Sequence, residues 1–152
     1  MVLIHGTCVE IDGVGVLLRG PPGSGKSDLA LRLLEGGARL VADDQTELRR
    51  HGAAIIASAP AAIAGRLEIR GVGILAVPAA AAAPLGLVVD LVPAARIERL
   101  PEPQCCRYLD RSLPLLLLAP FEASAAAKLR AALREAISRE AGQRAFVAAE
   151  GS

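Results

Sequence analysis

The chain has few aromatic side chains: its 152 residues include no tryptophan, one tyrosine and two phenylalanines. Stacking on nucleic-acid bases could be supplied only by Tyr108, Phe121 and Phe146. An excess of charge of one sign is also missing, since 17 basic and 16 acidic side chains give a formal net charge of +1. Both observations count against nucleic acid or an anionic membrane surface as a partner.

Cysteines are too few for a disulfide framework, and they lack the spacing of a zinc site. The chain has only Cys8 and the adjacent pair Cys105 and Cys106, with no C-x-x-C sequence and no His/Cys cluster. Residues 1–4 lack the basic start and long apolar region of a signal peptide. The longest apolar stretch, residues 74–92, is interrupted by prolines, a glycine and an aspartate. These absences predict a cytoplasmic protein with no membrane partner.

One stretch carries the complete phosphate-binding motif G-x-x-x-x-G-K-[ST]. It lies between an apolar run at residues 14–18 and a helix-like run at residues 28–34, which is the strand, loop and helix context that the motif requires. Its glycines allow successive backbone N–H groups to turn inward on a phosphate chain. Lys26 would then reach the terminal phosphates, and the Ser27 hydroxyl would bind Mg²⁺. The residues of this phosphate-binding loop are Gly20, Pro21, Pro22, Gly23, Ser24, Gly25, Lys26 and Ser27.

A pair of acids, Asp43 and Asp44, follows the short apolar run at residues 39–42. A buried strand that ends in carboxylates directly after the phosphate-loop helix would place them at the sheet edge where the loop opens. There they would face the terminal phosphate or its Mg²⁺. The alternative is that both are solvated turn residues, because aspartate is common at strand ends. The complete phosphate-binding loop favours the functional interpretation.

The remaining pattern predicts a single small α/β domain with room for one nucleotide site. Residues 141–152 show no stable period and are predicted to form a mobile tail, so the domain is assigned to residues 1–140. The predicted elements are a strand over residues 3–11, a turn at Asp12 and Gly13, a strand over 14–18, a helix over 28–35 capped by Gly36 and Gly37, a hairpin over 46–56 turned at His51 and Gly52, and an amphipathic helix over 122–140.

Four segments together resemble the catalytic domain of the HPr kinase/phosphorylase family. They are His5-Gly6, the phosphate-binding loop, LVADD at residues 40–44 and EIRGVGI at residues 68–74, in the family's order and at roughly its distances. The resemblance is close from His5 to Val77 and weakens towards Pro120. It implies a mixed-sheet α/β fold of the HPr kinase/PEP carboxykinase type. The chain resembles the short form of the family, which lacks the N-terminal domain.

The resemblance implies a kinase that uses ATP and Mg²⁺ to phosphorylate a serine of the phosphocarrier HPr, in the sugar phosphotransferase system. Many members reverse the reaction with inorganic phosphate to give pyrophosphate, and members assemble into homo-oligomers, commonly hexamers. Carried over by motif, the loop would hold ATP, with Lys26 in the catalytic site. The remaining assignments are Ser27 and Glu68 as Mg²⁺ ligands with Asp44 in support, Asp43 as the general base, His5 in the active site, and Arg111 as the arginine that acts in dephosphorylation.

Asp90 is a rival metal ligand, because residues 85–90 look like the second nucleotide motif of ordinary phosphate-loop ATPases. Leu91 and Val92 continue the apolar run, so we assign Asp90 a structural or edge-strand role. Two other functions stay open: a nucleotide-sensing module without transfer, and a kinase of a small-molecule hydroxyl. The presence of Asp43, Glu68 and Lys26 counts against the first, and the chemical nature of the phosphate acceptor would decide the second.

Overall fold

The computed structural model describes the backbone of residues 1–150 and the side chains of residues 1–143. Within residues 1–150 it contains eleven β-strands and two α-helices, α1 (Lys26–Glu35) and α2 (Ala125–Glu150). The strands are β1 (Val2–His5), β2 (Thr7–Ile11), β3 (Val14–Arg19), β4 (Arg39–Ala42), β5 (Gln45–His51), β6 (Ala54–Ser58), β7 (Arg66–Ile69), β8 (Gly73–Ala76), β9 (Ala82–Leu91), β10 (Gln104–Tyr108) and β11 (Arg111–Leu118).

Strand β9 connects the two halves of a mixed sheet that has nine strands in the described part of the chain. It pairs with β3 in parallel, with β6 in antiparallel orientation near its start, and with β11 in parallel near its end. Strands β2 and β4 continue the sheet beyond β3, β5 and β1 continue it beyond β6, and β10 pairs with β11. The mixed α/β architecture predicted from the sequence is therefore present. Strands β7 and β8 form a separate antiparallel ribbon.

Local sequence signals explain the turns that lead into and out of the phosphate-loop unit. Ile11 pairs with Val14 across a two-residue turn in which Asp12 and Gly13 have φ angles of 51° and 83°, as a type I′ hairpin requires. Helix α1 ends where the Gly37 N–H donates to the Leu34 carbonyl (2.9 Å), and Gly37 has a φ of 101°. The predicted hairpin and helix cap are both confirmed.

Two apolar cores lie on the sheet. The first contains the fully buried leucines of α1 and α2, including Leu29 and Leu129, which pack on β3 and β9. The second contains Leu17, Val88 and Cys8. Burial raises the pKa of the Cys8 thiol to about 12, so this cysteine stays protonated at neutral pH. All three cysteines are unpaired, in line with their spacing.

The structure corrects three predicted boundaries. The strand predicted over residues 3–11 is divided at Gly6, because β1 pairs with β5 whereas β2 pairs with β3 and β4. The β5–β6 turn lies at Gly52 and Ala53, one residue later than predicted, since His51 still pairs with Ala54.

The third correction concerns the bounds of the C-terminal helix, whereas the mobility predicted for residues 141–152 stays a prediction. Helix α2 begins at Ala125 and continues past residue 140 to Glu150, so residues 141–150 are helical. The last two residues of the predicted tail, 151 and 152, lie outside the described residues. Neither described helix is long and apolar enough to span a membrane.

Candidate active site

The phosphate-binding loop connects the end of β3 to the start of α1, as the motif predicts. Gly23 and Gly25 have φ angles of 80° and 101°, in the left-handed region that favours glycine. A Cβ atom on Gly20 would lie 2.4 Å from Oγ of Ser24, so the loop closes tightly only with glycine at this position. Ser24 Oγ is buried and has no hydrogen-bond partner among the described residues.

Lys26 folds back over this loop. Its Nζ donates to the carbonyl oxygens of Gly20 (2.7 Å) and Pro21 (3.3 Å). The ammonium group is thereby placed beside the first turn of α1, whose N–H groups have no partner within the helix. A positive side chain, unpaired N–H groups and the positive end of the helix dipole together favour an anion at this point.

Asp43 is the residue on which four segments of the chain converge. Its Oδ1 accepts hydrogen bonds from the hydroxyls of Ser27 (3.0 Å) and Thr7 (3.2 Å), and its Oδ2 accepts the backbone N–H of Glu68 (3.0 Å). This meeting occurs because β4 runs in the same direction as β3, with β2 antiparallel between them. The prediction that the acids after β4 lie beside the phosphate-binding loop is confirmed for Asp43.

Asp44 makes the turn from β4 into β5. Its φ of 66° is left-handed, and its N–H donates to Thr7 Oγ1 (3.1 Å) while its carbonyl accepts the Gly6 N–H (2.9 Å). The side chain is exposed. His5 lies next to this turn, since it pairs with Gln45 at the end of β1, and its side chain is also exposed. Both predicted site residues therefore lie on the surface at the β4–β5 turn, which directly follows Asp43.

Sequence reasoning missed Thr7. This residue is fully buried, and its hydroxyl donates to the Asp43 carboxylate while accepting the Asp44 N–H, so it fixes the position of both acids. The available signal was a polar residue at the start of the buried strand β2, directly after the His5-Gly6 segment.

The predicted metal ligands are only partly brought together. Ser27 lies against Asp43, and Glu68 contacts Asp43 through its backbone while its side chain is exposed. Within residues 1–143, no group of three or more His, Cys, Asp or Glu side chains is arranged to hold a metal ion. Ser27, Glu68 and Asp44 therefore stay a predicted ligand set.

Arg111 is not brought to the loop. It is the first residue of β11, opposite Tyr108 across a turn formed by Leu109 and Asp110. The Leu109 carbonyl accepts a hydrogen bond from Arg50 (3.4 Å). Arg50 lies near the end of β5, whereas Asp44 lies just before its start, so the turn beside Arg111 is at the end of β5 away from Asp44. In the described part of this chain the Arg111 side chain makes no hydrogen bond or ion pair, so its predicted catalytic role gains no support from the geometry.

Asp90 faces an arginine. Its two carboxylate oxygens accept hydrogen bonds from Nε and Nη2 of Arg19 (2.7 and 2.9 Å), the residue that precedes the phosphate-binding loop. Arg19 also donates to the Tyr108 hydroxyl (2.8 Å), and its guanidinium lies 5.8 Å from the centre of that ring. The hydrogen bond to Asp90 is the main reason why the pKa of Arg19 is raised. These contacts support the structural role assigned to Asp90.

We expect Asp90→Asn to lower the free energy of unfolding by about 1–2 kcal/mol, because an amide cannot replace both charged hydrogen bonds to Arg19. Urea unfolding would measure this loss. Any Mg²⁺-dependent phosphotransfer should survive the substitution. Glu102→Gln is the matched control, since Glu102 is exposed and has no ion pair among the described residues. A folded Asp90→Asn protein without Mg²⁺-dependent transfer would instead make Asp90 a metal ligand.

Comparison with known families adds an independent observation. The model of the family described as HPr Serine kinase C-terminal domain matches residues 1–83. This chain belongs to that family. The predicted resemblance is confirmed, and the matched residues include the phosphate-binding loop, Asp43 and Glu68. Arg111 lies outside them.

Curated relatives of this HPr kinase domain are named HPr kinase/phosphorylase. The relative from Exiguobacterium sp. is 51% identical over 76 residues, which are 49% of this chain and 24% of that protein. The relative from Geobacillus thermodenitrificans is 42% identical over an alignment of 127 residues, and the match covers 76% of this chain and 41% of that protein. The chain therefore spans less than half the length of either relative.

A solved structure has the same fold. The Hpr(Ser) kinase/phosphatase from Coxiella burnetii matches with a TM-score of 0.82 at 25% sequence identity. The match covers 92% of this chain and 99% of the Coxiella chain. It confirms the predicted fold class over a range that extends well beyond the residues matched by the family model.

Proposed function

We propose that this chain is an ATP- and Mg²⁺-dependent protein-serine kinase that phosphorylates an HPr-like phosphocarrier in the cytoplasm. One observation carries the proposal: the Asp43 carboxylate is held by hydrogen bonds from Ser27 of the phosphate-binding loop and from the Glu68 backbone. A fixed carboxylate beside a phosphate site is what transfer to a hydroxyl acceptor requires. Family membership and the names of the relatives support HPr as the acceptor.

The phosphate-binding loop would hold the triphosphate of ATP. The N–H groups at the start of α1 would bind phosphate oxygens, and Lys26 would exchange its contacts with the Gly20 and Pro21 carbonyls for phosphate. Ser27 donates its proton to Asp43, which leaves its oxygen lone pairs free for a cation. Together with the exposed carboxylates of Glu68 and Asp44, this gives hard oxygen donors that suit Mg²⁺. The bound ion would neutralise charge on the transferring phosphoryl group.

Asp43 would take the proton from the acceptor serine. Its two oxygens offer about four lone-pair sites, and the three hydrogen bonds use two sites on Oδ1 and one on Oδ2. The open site is therefore on Oδ2, which we assign as the proton acceptor. As the serine oxygen bonds to the γ-phosphorus, the bond from that phosphorus to the β,γ-bridging oxygen breaks, and ADP leaves with the electron pair.

The proposal also includes the reverse reaction, phosphorolysis. In that direction inorganic phosphate would attack the phosphoserine, pyrophosphate would form, and Asp43 would return the proton to the serine oxygen. Arg111 lies at the start of β11 and not at the phosphate-binding loop, so its role in this direction stays a prediction. Assembly into a homo-oligomer such as a hexamer stays a prediction.

The test is incubation of the protein with labelled ATP, Mg²⁺ and the HPr-like carriers of its host, followed by mass spectrometry of the product. We expect label on a carrier serine, and its release as pyrophosphate when inorganic phosphate replaces ATP. Label on a metabolite hydroxyl would instead identify a small-molecule kinase. Bound ATP with no labelled acceptor would identify a nucleotide-sensing module.

A further inference from the structure

Phe121 is an exposed aromatic residue beside the phosphate-binding loop. It follows β11 and the buried Pro120, and 71% of its surface is accessible to solvent. The ring belongs to neither of the two apolar cores. Single apolar side chains are common on protein surfaces, so the exposure of Phe121 does not by itself mark a binding residue. Its position beside the phosphate-binding loop sets it apart from the other exposed apolar side chains.

The backbone on both sides of Phe121 is fixed to α1. The guanidinium of Arg32 donates to the carbonyl oxygens of Pro120 and Glu122, and it also pairs with Asp28 in the first turn of the helix (3.0 Å). The Glu122 carboxylate is paired in turn with Lys128 of α2 (3.0 Å). The segment that carries the ring is therefore held to the helix that begins at the phosphate site.

The ring also contacts the loop itself. A Cβ atom on Gly25 would lie 3.0 Å from Cζ of Phe121 and 3.2 Å from Cβ of Pro120. The missing side chain of Gly25 thus provides the space that the edge of the ring occupies. Gly25 is the residue just before α1, where the N–H groups turn towards a phosphate. The aromatic ring lies within reach of a nucleotide bound at that point.

The sheet topology brings the phosphate-binding loop and the Phe121 segment together. Strands β3, β9 and β11 are parallel, so their carboxyl ends meet at one edge of the sheet. The segment after β3 is the phosphate-binding loop, and the segment after β11 carries Phe121. Ligands of parallel α/β sheets bind outside the carboxyl ends of the strands, with different loops contacting different parts of the ligand.

We propose that Phe121 forms the stacking surface for the purine base of the nucleotide whose phosphates the loop binds. The inference rests on the proposed nucleotide site and extends it to the base. Stacking suits the geometry because one face of a fixed, exposed ring can be covered by a flat base without a preformed pocket. A purine covers more of the ring than a pyrimidine does. The scarcity of aromatic residues in the chain does not prevent this, since one correctly placed ring is sufficient.

The experiment compares binding of Mg²⁺-ATP with binding of Mg²⁺-tripolyphosphate, which has the phosphates but no base, by calorimetry. We expect Phe121→Ala to weaken ATP binding about tenfold and to leave tripolyphosphate binding unchanged. Phe121→Trp should restore the affinity for ATP. The natural chain contains no tryptophan, so the emission of this variant should change with ATP and not with tripolyphosphate. Leu100→Ala is the control, because Leu100 is 86% exposed and apolar.

Each outcome decides between explanations. If Phe121→Ala weakened the binding of ATP and of tripolyphosphate equally, the proposal would be overturned, because the ring would then only support the loop. Unchanged ATP binding would overturn it as well. If ATP affinity depends on Phe121 but no carrier is phosphorylated, the base site stands and the proposed kinase function fails. If neither ligand binds the natural protein, both proposals fail together.

Discussion

Asp43→Asn is expected to reduce phosphoryl transfer to the carrier by about 10³-fold, while ATP binding stays close to that of the natural protein. General-base catalysis contributes roughly 10²–10⁴-fold in enzymes, and an amide cannot take the proton of the acceptor serine. The Asn side chain can still accept hydrogen bonds from Ser27 and Thr7 through its oxygen, although its NH2 group cannot accept the Glu68 N–H that Oδ2 accepts, so two of the three contacts should hold the side chain in place. Single-turnover transfer rates and calorimetric ATP binding would measure the two quantities separately.

The control for this substitution is Asp110→Asn. Asp110 is exposed, lies in the β10–β11 turn with a φ of 64°, and occupies a conformation that asparagine adopts readily. It should transfer phosphate at the natural rate. Near-normal transfer by Asp43→Asn would show that Asp43 is not the base. Loss of ATP binding in the same variant would show that the carboxylate mainly holds the nucleotide or its metal ion.

The parts of the site that the sequence predicts correctly are those set by local chain geometry. The phosphate-binding loop needs only glycines at fixed positions between a strand and a helix, and both neighbours are evident from short apolar runs. The position of Asp43 followed from one further step. A strand that returns after the helix and runs parallel to β3 must end at the same edge of the sheet.

The parts that could not be predicted depend on contacts between distant segments. The alternating pattern continues through residues 3–11, but Gly6 separates two strands with different partners. A Cβ atom at Gly6 would lie 2.8 Å from the Leu18 carbonyl oxygen, a contact between segments that the local pattern does not show. The hydrogen bonds of Thr7 join residues far apart in the sequence, so its role was invisible in the local pattern. For Asp90, the neighbouring apolar residues suggested a structural role but could not reveal Arg19 as its partner.

Composition was a weaker guide than position for the aromatic residues. A chain with only three aromatic side chains is a poor candidate for stacking along a nucleic acid, which needs a row of rings. A single nucleotide needs one ring. The folded chain places Phe121 beside Gly25, although these residues are distant in sequence, and no local pattern around residue 121 indicated that neighbour.

Lys26→Ala is expected to lower both ATP affinity and transfer, with transfer reduced by at least about 10²–10³-fold. The ammonium group acts twice, since its hydrogen bonds to the Gly20 and Pro21 carbonyls hold the loop together and its charge attracts the phosphates. Alanine supplies neither. Calorimetry with Mg²⁺-ATP and the carrier assay would measure the effects, with Arg139→Ala as the control because Arg139 forms an exposed surface ion pair with Glu135 on α2.

The contrast between Lys26→Ala and Asp43→Asn separates the two halves of the proposed mechanism. A site in which the loop binds phosphate and the carboxylate takes the proton should lose ATP binding in the first variant and keep it in the second. If Lys26→Ala bound ATP normally and still transferred phosphate, the loop would not be the phosphate site. Equal loss of ATP binding in both variants would mean that Asp43 acts through the nucleotide complex, and its assignment as the base would be wrong.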